Sequence, residues 1–292
     1  MQIMTARFLA FIGLLLIAPW QIQTPAQGVK HGDEQVPIST QWLLDAAGPT
    51  QRASINSVYL VVCPKTNKKG RAFLIKSGIV VTDNHVVEGC QSGDLTATSS
   101  TGETISFSKM ATDGARDLAL LKPTKHINGG LTLGNDQSLK TGETVTTWGF
   151  PLIYNGPAPL LSVGYLSGFE AVPVADKTVK HLIVNGAFNP GNSGGPLLLS
   201  GQNTVVGIVV WKMRLLAPWT ETLITGLNQS NVSISSGVMK TMPDGTSQNL
   251  PQHVVTALVL KEFYDTVQVM IGEATSVSEL KQFLREKESE LR

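Results

Sequence analysis

The chain has 292 residues and a formal net charge of +1, with 42% hydrophobic and 15% charged residues. That length supports one large or two small cores. The charge balance gives no basic stripe of the kind that phosphate-directed binding needs, so nucleic acid is excluded as a partner.

Arg7 precedes Phe8–Ala18 (FLAFIGLLLIA), an apolar run of 11 residues. A bilayer span needs about 20 residues. The run fits a signal-peptide core, with Thr24-Pro25-Ala26 as the cleavage site. A short uncleaved anchor is the alternative. We expect residues 1–26 to direct export to the periplasm or the exterior, with no stable membrane anchor in the mature chain. Residues 27–50 form a polar extension in which Trp42-Leu43-Leu44 reads as a short helix.

Residues 51–125 hold short apolar runs separated by turn residues, as in an all-β barrel. They are Ser57–Cys63, Arg71–Ile75, Gly78–Thr82, Asp94–Thr98, Glu103–Ser108 and Asp117–Lys122. Among five histidines, His85 stands where the Gly78–Thr82 strand ends in Thr-Asp-Asn. A rigid strand end is a good mount for a general base. Asp117 opens the apolar run DLALLK, which draws its carboxylate inward. Asp113, in a glycine-containing loop, is the rival acid and reads as a solvated turn residue. Cys63 closes the first strand and Cys90 follows His85 by five positions. In an oxidising compartment these two pair. Closing the intervening loop stabilises the chain by roughly 3–4 kcal/mol in the chain-entropy model. No Cys-x-x-Cys or paired histidine lies nearby, so neither metal nor cofactor is expected.

Pro123–Thr141 reads as a link to a second set of strands, over residues 126–245. These are Glu143–Gly149, Leu160–Phe169, His181–Asn185, Pro196–Leu199 and Thr204–Lys212. Between the third and fourth lies Gly191–Pro196 (GNSGGP). Ser193 between glycines suits an acyl-transfer nucleophile, because the backbone turns sharply there and approaches a substrate closely. The N–H groups of Gly191 and Ser193 are placed to hold a tetrahedral oxyanion, a donor set whose members are each worth roughly 100–1,000-fold in rate. The hydroxyl needs a base, and His85 with Asp117 supplies one.

Residues 246–292 read as a helical segment. Pro251–Ile271 has near-helical apolar spacing. Ser276-Val277-Ser278-Glu279 has the form of a capping box opening a charged, solvated helix from Glu279.

TDNHVV, DLALL and GNSGGP, in the order His–Asp–Ser, resemble the chymotrypsin-type serine peptidases, and within them the bacterial HtrA (Deg) type. Leu131–Pro151, Leu161–Phe169 and Asn185–Leu197 are similar to further segments of that family. The resemblance extends roughly from Ser54 to Lys212. It implies an all-β fold of two six-stranded antiparallel β-barrels, to which the helical segment is appended. By it, His85 is the general base, Asp117 its orienting acid and Ser193 the nucleophile of an endopeptidase acting on polypeptides. It also implies a bridge flanking the histidine. Family members usually carry PDZ domains, for which the tail after residue 245 is short, so none is expected. Where trypsin holds its pocket acid this chain has Ala187. With Phe188, Val209 and Val210 as walls, small or medium apolar side chains are the expected specificity. The competing reading is a catalytically inactive peptide-binding module on the same scaffold. The α/β-hydrolase alternative requires the order Ser–Asp–His, which this chain lacks.

Overall fold

The computed structural model describes residues 36–150, 156–175, 177–186, 192–212, 226, 237–241, 246–266 and 271–291. The signal reading of residues 1–26 lies outside them. The described chain opens with two helices, α1 (Ile38–Ala46) and α2 (Pro49–Asn56). Pro49 starts α2 well, since its missing N–H would have no helical partner in the first turn. Ile55 is fully buried, and Leu43 and Leu44 pack against the same cluster. Trp42 stays exposed.

The first barrel comprises β1 (Val58–Cys63), β2 (Lys68–Leu74), β3 (Val80–Thr82), β4 (Thr96–Ser99), β5 (Thr104–Asp113) and β6 (Leu118–Pro123). It closes in the order β1-β2-β3-β6-β5-β4. Between β3 and β4 lie a short helical turn, α3 (Asn84–Val87), and a 3-10 turn at Ser92–Asp94. The continuous apolar run Leu118–Leu121 has a simple cause. Successive side chains on a strand face opposite ways. Ala119 and Leu121 fill the barrel interior with Val61, Leu74 and Val80. Leu118 and Leu120 face the other side, where Phe73, Val81, Trp148, Leu198 and Ile208 form a seam with the second barrel. Both faces are buried, and each such leucine contributes about 1.5–3 kcal/mol.

The second barrel uses β8 (Thr144–Gly149), β9 (Leu160–Val174), β10 (Lys177–Gly186), β11 (Pro196–Leu199), β12 (Thr204–Lys212) and β15 (Ile271–Ser276). Pairing of β11 with β12 closes the ring, and β7 (Thr132–Leu133) runs parallel to β12 outside it. A separate hairpin of β13 (Gly237–Thr241) and β14 (Ser247–Pro251) adjoins helix α4 (Gln252–Thr266). The chain ends its described course in α5 (Val277–Leu291). No helix among the described residues is long and apolar enough to cross a membrane.

Two features of the last segment differ from the sequence reading. The helix proposed for Pro251–Ile271 stops at Thr266, and Ile271–Ser276 is the sixth barrel strand, inserted between β10 and β12. Its small polar residues gave no strand signal; its position follows from pairing on both edges. Gly207 opposite it allows the close approach, since a Cβ there would lie 3.0 Å from the Thr275 carbonyl. The expected solvated helix also begins two residues earlier and is docked: Val277, Leu280 and Phe283 are fully buried. Glu279 does not close a capping box. Its carboxylate accepts from Arg116 Nε at 3.1 Å and from the Lys180 N–H at 3.1 Å.

Candidate active site

His85 sits on α3, directly after the buried strand β3. Val86 and Val87 anchor that turn in the first barrel's interior. The disulfide between Cys63 and Cys90 ties the chain just beyond α3 to the end of β1. Asp117 precedes β6 with φ 51°, a left-handed conformation that costs a non-glycine residue roughly 1–2 kcal/mol. Its carboxylate makes two bonds to one residue. Oδ1 accepts the His85 backbone N–H at 2.9 Å, and Oδ2 lies 2.7 Å from His85 Nδ1. The Asp117 carbonyl accepts the Asn84 N–H as well. This grip sets the ring's tautomer: the proton resides on Nδ1 and leaves Nε2 free to act as a base. Asp113 has a different task. It accepts the N–H groups of Ala115 and Arg116 and pairs with the Arg116 guanidinium.

Ser193 lies in a turn between the barrels. Its carbonyl accepts the Arg71 N–H at 2.8 Å, the Gly194 N–H donates to Val209, and the Gly195 N–H donates to Asn192. Gly194 has φ 82°, and a Cβ there would lie 2.1 Å from the Arg71 carbonyl. Only glycine fits so close a crossing. Gly70 joins the two halves: a Cβ on it would strike Val86 and lie 3.2 Å from the Ser193 carbonyl.

The structure brings His85 and Asp117 together but does not bond Ser193 to them. The Ser193 hydroxyl donates to the Val210 carbonyl at 2.6 Å. That carbonyl is available because β12 bulges there. Val209 pairs with Ala274 and Trp211 with Glu273, which leaves Val210 without a cross-strand partner. Ala187, Phe188 and Gly191 lie outside the described residues. Val209 is packed with Leu182, Val184 and Ala274 in the second barrel's interior. Alternation along the strand turns it inward. Val210 is also buried and borders the site through its carbonyl.

Two charged groups beside the site escaped the sequence reading. Arg71 and Asp83 are both fully buried. The signal was a single charge set in each of two apolar runs, GRAFLI and VVTD. Asp83 Oδ2 lies 3.8 Å from His85 Nδ1, and the Gly194 backbone N–H lies beside the carboxyl without offsetting its burial. Burial first, and the nearby Asp117 carboxylate second, hold its carboxyl well above the usual carboxylate range. Asp83, His85 and Asp117 bring their ligand atoms within 4.8 Å of one another, close enough for a cation, but Asp117 already engages the ring nitrogen.

The buried acid has a measurable consequence. Between its ordinary value and its raised folded value, Asp83 holds a proton in the folded state that the unfolded chain has lost. Stability therefore falls as pH rises through that window. Asp83→Asn is expected to flatten this slope in urea midpoints measured from about pH 5 to 8. An unchanged slope would assign it to another group.

Two closed barrels meeting along a seam, with a histidine–aspartate pair on one and a serine turn at the junction, define a chymotrypsin-like fold. Two solved structures support that assignment. The Rv3671c protease in its inactive form gives a TM-score of 0.53 at 17% identity over 86% of this chain and 96% of that one. Its active form, from M. tuberculosis, gives 0.50 at 19% over 64% and 83%. Residues 70–208 match the model of the trypsin-like peptidase domain. Serine protease Do-like HtrB of Bacillus subtilis is 37% identical over 138 residues, 44% of this chain and 29% of that protein. Putative serine protease HhoB of Synechocystis is 32% identical over 150 residues, 50% of this chain and 35% of that protein. A probable periplasmic serine endoprotease, DegP-like, of Halomonas elongata is 33% identical over 141 residues, 48% and 28%. The chain carries a trypsin-like peptidase domain and is a distant homologue of the HtrA/DegP-like serine proteases. The matches span about a third or less of those relatives' length.

Proposed function

We propose that this chain is an exported serine endopeptidase that cleaves polypeptides through an acyl-enzyme. The observation that carries the reading is the two-point grip of Asp117 on His85, which leaves Nε2 as a free base. The reading requires the Ser193 hydroxyl to leave the Val210 carbonyl and reach that nitrogen. His85 takes the proton as the Ser193 oxygen bonds to the scissile carbonyl carbon. The carbonyl oxygen becomes an oxyanion facing the N–H groups of Ser193 and Gly191. His85 then returns the proton to the leaving amine, and water repeats the sequence to release the acid and restore the serine. The Cys63–Cys90 bridge supports export, because such bonds persist in oxidising compartments. Ala187 offers no carboxylate to a basic substrate side chain, which supports a preference for small or medium apolar residues at the cleaved position.

The bond from Ser193 to Val210 favours one second reading, a peptide-binding module without turnover. A fluorophosphonate probe separates the two. Covalent labelling at Ser193, absent in Ser193→Ala, establishes the peptidase; a wild-type protein that never labels establishes the binder. Cleavage of a peptide library then reads specificity, and a profile dominated by Lys, Arg or Glu overturns the apolar preference.

A further inference from the structure

Arg71 is an unexpected residue at its position. The other side chains of β2 from Ala72 to Leu74 are buried and apolar, and Arg71 is as fully buried as they are. Its Nε, Nη1 and Nη2 have no hydrogen-bond partner among the described residues. The guanidinium lies 5.0 Å from the centre of the Phe150 ring. Burial draws its pKa down to about 9. A buried charge without a partner destabilises a fold. Packing alone would be served at least as well by methionine.

What surrounds Arg71 is the nucleophile's turn. Its backbone N–H holds the Ser193 carbonyl, and its carbonyl accepts the Thr82 hydroxyl. Arg71 Nε and the Asn192 carboxamide both lie beside Gly149, with no hydrogen bond between them. The position a Gly149 Cβ would take is 3.1 Å from Arg71 Nε and 2.7 Å from Asn192 Oδ1. Glycine at 149 therefore lets the two side chains sit close by, and a larger residue would crowd both. Asn192 is buried too, and its Nδ2 is unpaired among the described residues. Two buried polar side chains thus lie side by side next to Gly149, one of them belonging to the residue immediately before Ser193.

We propose that Arg71 is a positioning residue whose guanidinium, set against Asn192, fixes the peptide ahead of Ser193 so that the Ser193 N–H and hydroxyl face the substrate. The inference rests on the peptidase reading above. It assigns the turn two restraints from one residue: the backbone of Arg71 fixes the Ser193 carbonyl, in the peptide that follows Ser193, and its side chain lies beside that of Asn192, in the peptide that precedes it. Asn192 carries no charge, so the guanidinium orients it by direction rather than by ion pairing.

The test is a stability-against-rate comparison on the full chain. Arg71→Met is expected to keep or raise the urea midpoint while fluorophosphonate labelling of Ser193 slows by about 10²-fold, the scale of a misplaced reacting group. Peptide cleavage should lose kcat with KM little changed. Arg71→Lys keeps the charge but not the planar fork, and is expected to fold and to lose a smaller part of the rate. Asn192→Ala should reproduce the loss, and adding it to Arg71→Met should slow labelling little further. Labelling of both Arg71 variants within about twofold of wild type overturns the proposal. So does a rate that falls only in step with stability, since that marks a purely structural residue. Failure of the wild-type protein to label would instead overturn the peptidase reading.

Discussion

Asp117→Asn is expected to slow acylation of Ser193 by about 10⁴-fold without unfolding the protein. The geometry gives the reason. The His85 N–H needs an acceptor, which the asparagine oxygen provides in place of Oδ1. The asparagine NH₂ then faces His85 Nδ1, where Oδ2 stood. Facing a donor, Nδ1 must act as acceptor, so the ring proton moves to Nε2. The nitrogen that should receive the serine proton is then already protonated. Asparagine tolerates the left-handed backbone at this position, so the fold should persist. The measurement is the labelling rate with a fluorophosphonate across pH, beside the urea midpoint. Ser193→Ala should abolish labelling at an unchanged midpoint. Labelling of Asp117→Asn at the wild-type rate would mean that Asp117 does not set the tautomer.

The largest expected loss of stability comes from Arg116→Met. Arg116 is 3% exposed and binds three acids. Its Nη1 donates to Asp113 at 2.6 Å and to Glu286 at 2.9 Å, and its Nε donates to Glu279 at 3.1 Å. Its carbonyl accepts the Thr275 hydroxyl. One residue thereby joins the β5–β6 turn to α5 and β15. Glu286 is half-exposed, and solvent weakens its share. Asp113 and Glu279 are largely buried; without Arg116, Asp113 keeps only the longer pair to Lys177 at 3.7 Å, and Glu279 loses its guanidinium partner. Breaking such a pair costs about 3–5 kcal/mol, a large part of the 5–15 kcal/mol that holds a typical domain folded. The pH dependence has a definite sign. Despite the burial that opposes it, hydrogen bonds and charge from Arg116 hold the Asp113 carboxyl below its ordinary value, and Arg116 does the same for Glu286. Their contribution is present above the ordinary carboxylate range and is lost as pH falls through the lowered values. The gap between wild type and variant in urea midpoint should therefore narrow in acid. A gap under about 1 kcal/mol at neutral pH would assign the junction to apolar packing alone. Since Arg116 adjoins Asp117, the variant should also lose labelling.

The sequence carried the site's principal groups because each is announced locally. His85 follows an apolar strand, Asp117 opens one, and Ser193 lies among glycines that its turn requires. The strands of the first barrel and five of the second were legible in their apolar runs, while their closure into two six-stranded barrels was implied by the family resemblance. What escaped notice depends on partners distant in the chain. The strand Ile271–Ser276 has Gly, Glu and Thr where a strand signal expects apolar residues, and is a strand because β10 and β12 flank it. The burial of α5 rests on a sparse stripe, Val277, Leu280 and Phe283, within a charged sequence. Val209 and Val210 look interchangeable as letters; Val209 packs in the barrel interior, and the bulge in β12 opens the carbonyl of Val210. Arg71 and Asp83 were visible as charges, but whether a charge is buried is decided by the fold around it.

The sixth strand of the second barrel also orders events during synthesis. Ser193 is translated well before Ile271–Ser276, yet the ring beside its turn cannot shut until that strand slots between two older ones. A nascent chain therefore carries its nucleophile on an open, unfinished support while the ribosome is still at work. On the proposed peptidase reading, proteolytic competence arrives late, with the closing piece, and the growing polypeptide is spared its own chemistry.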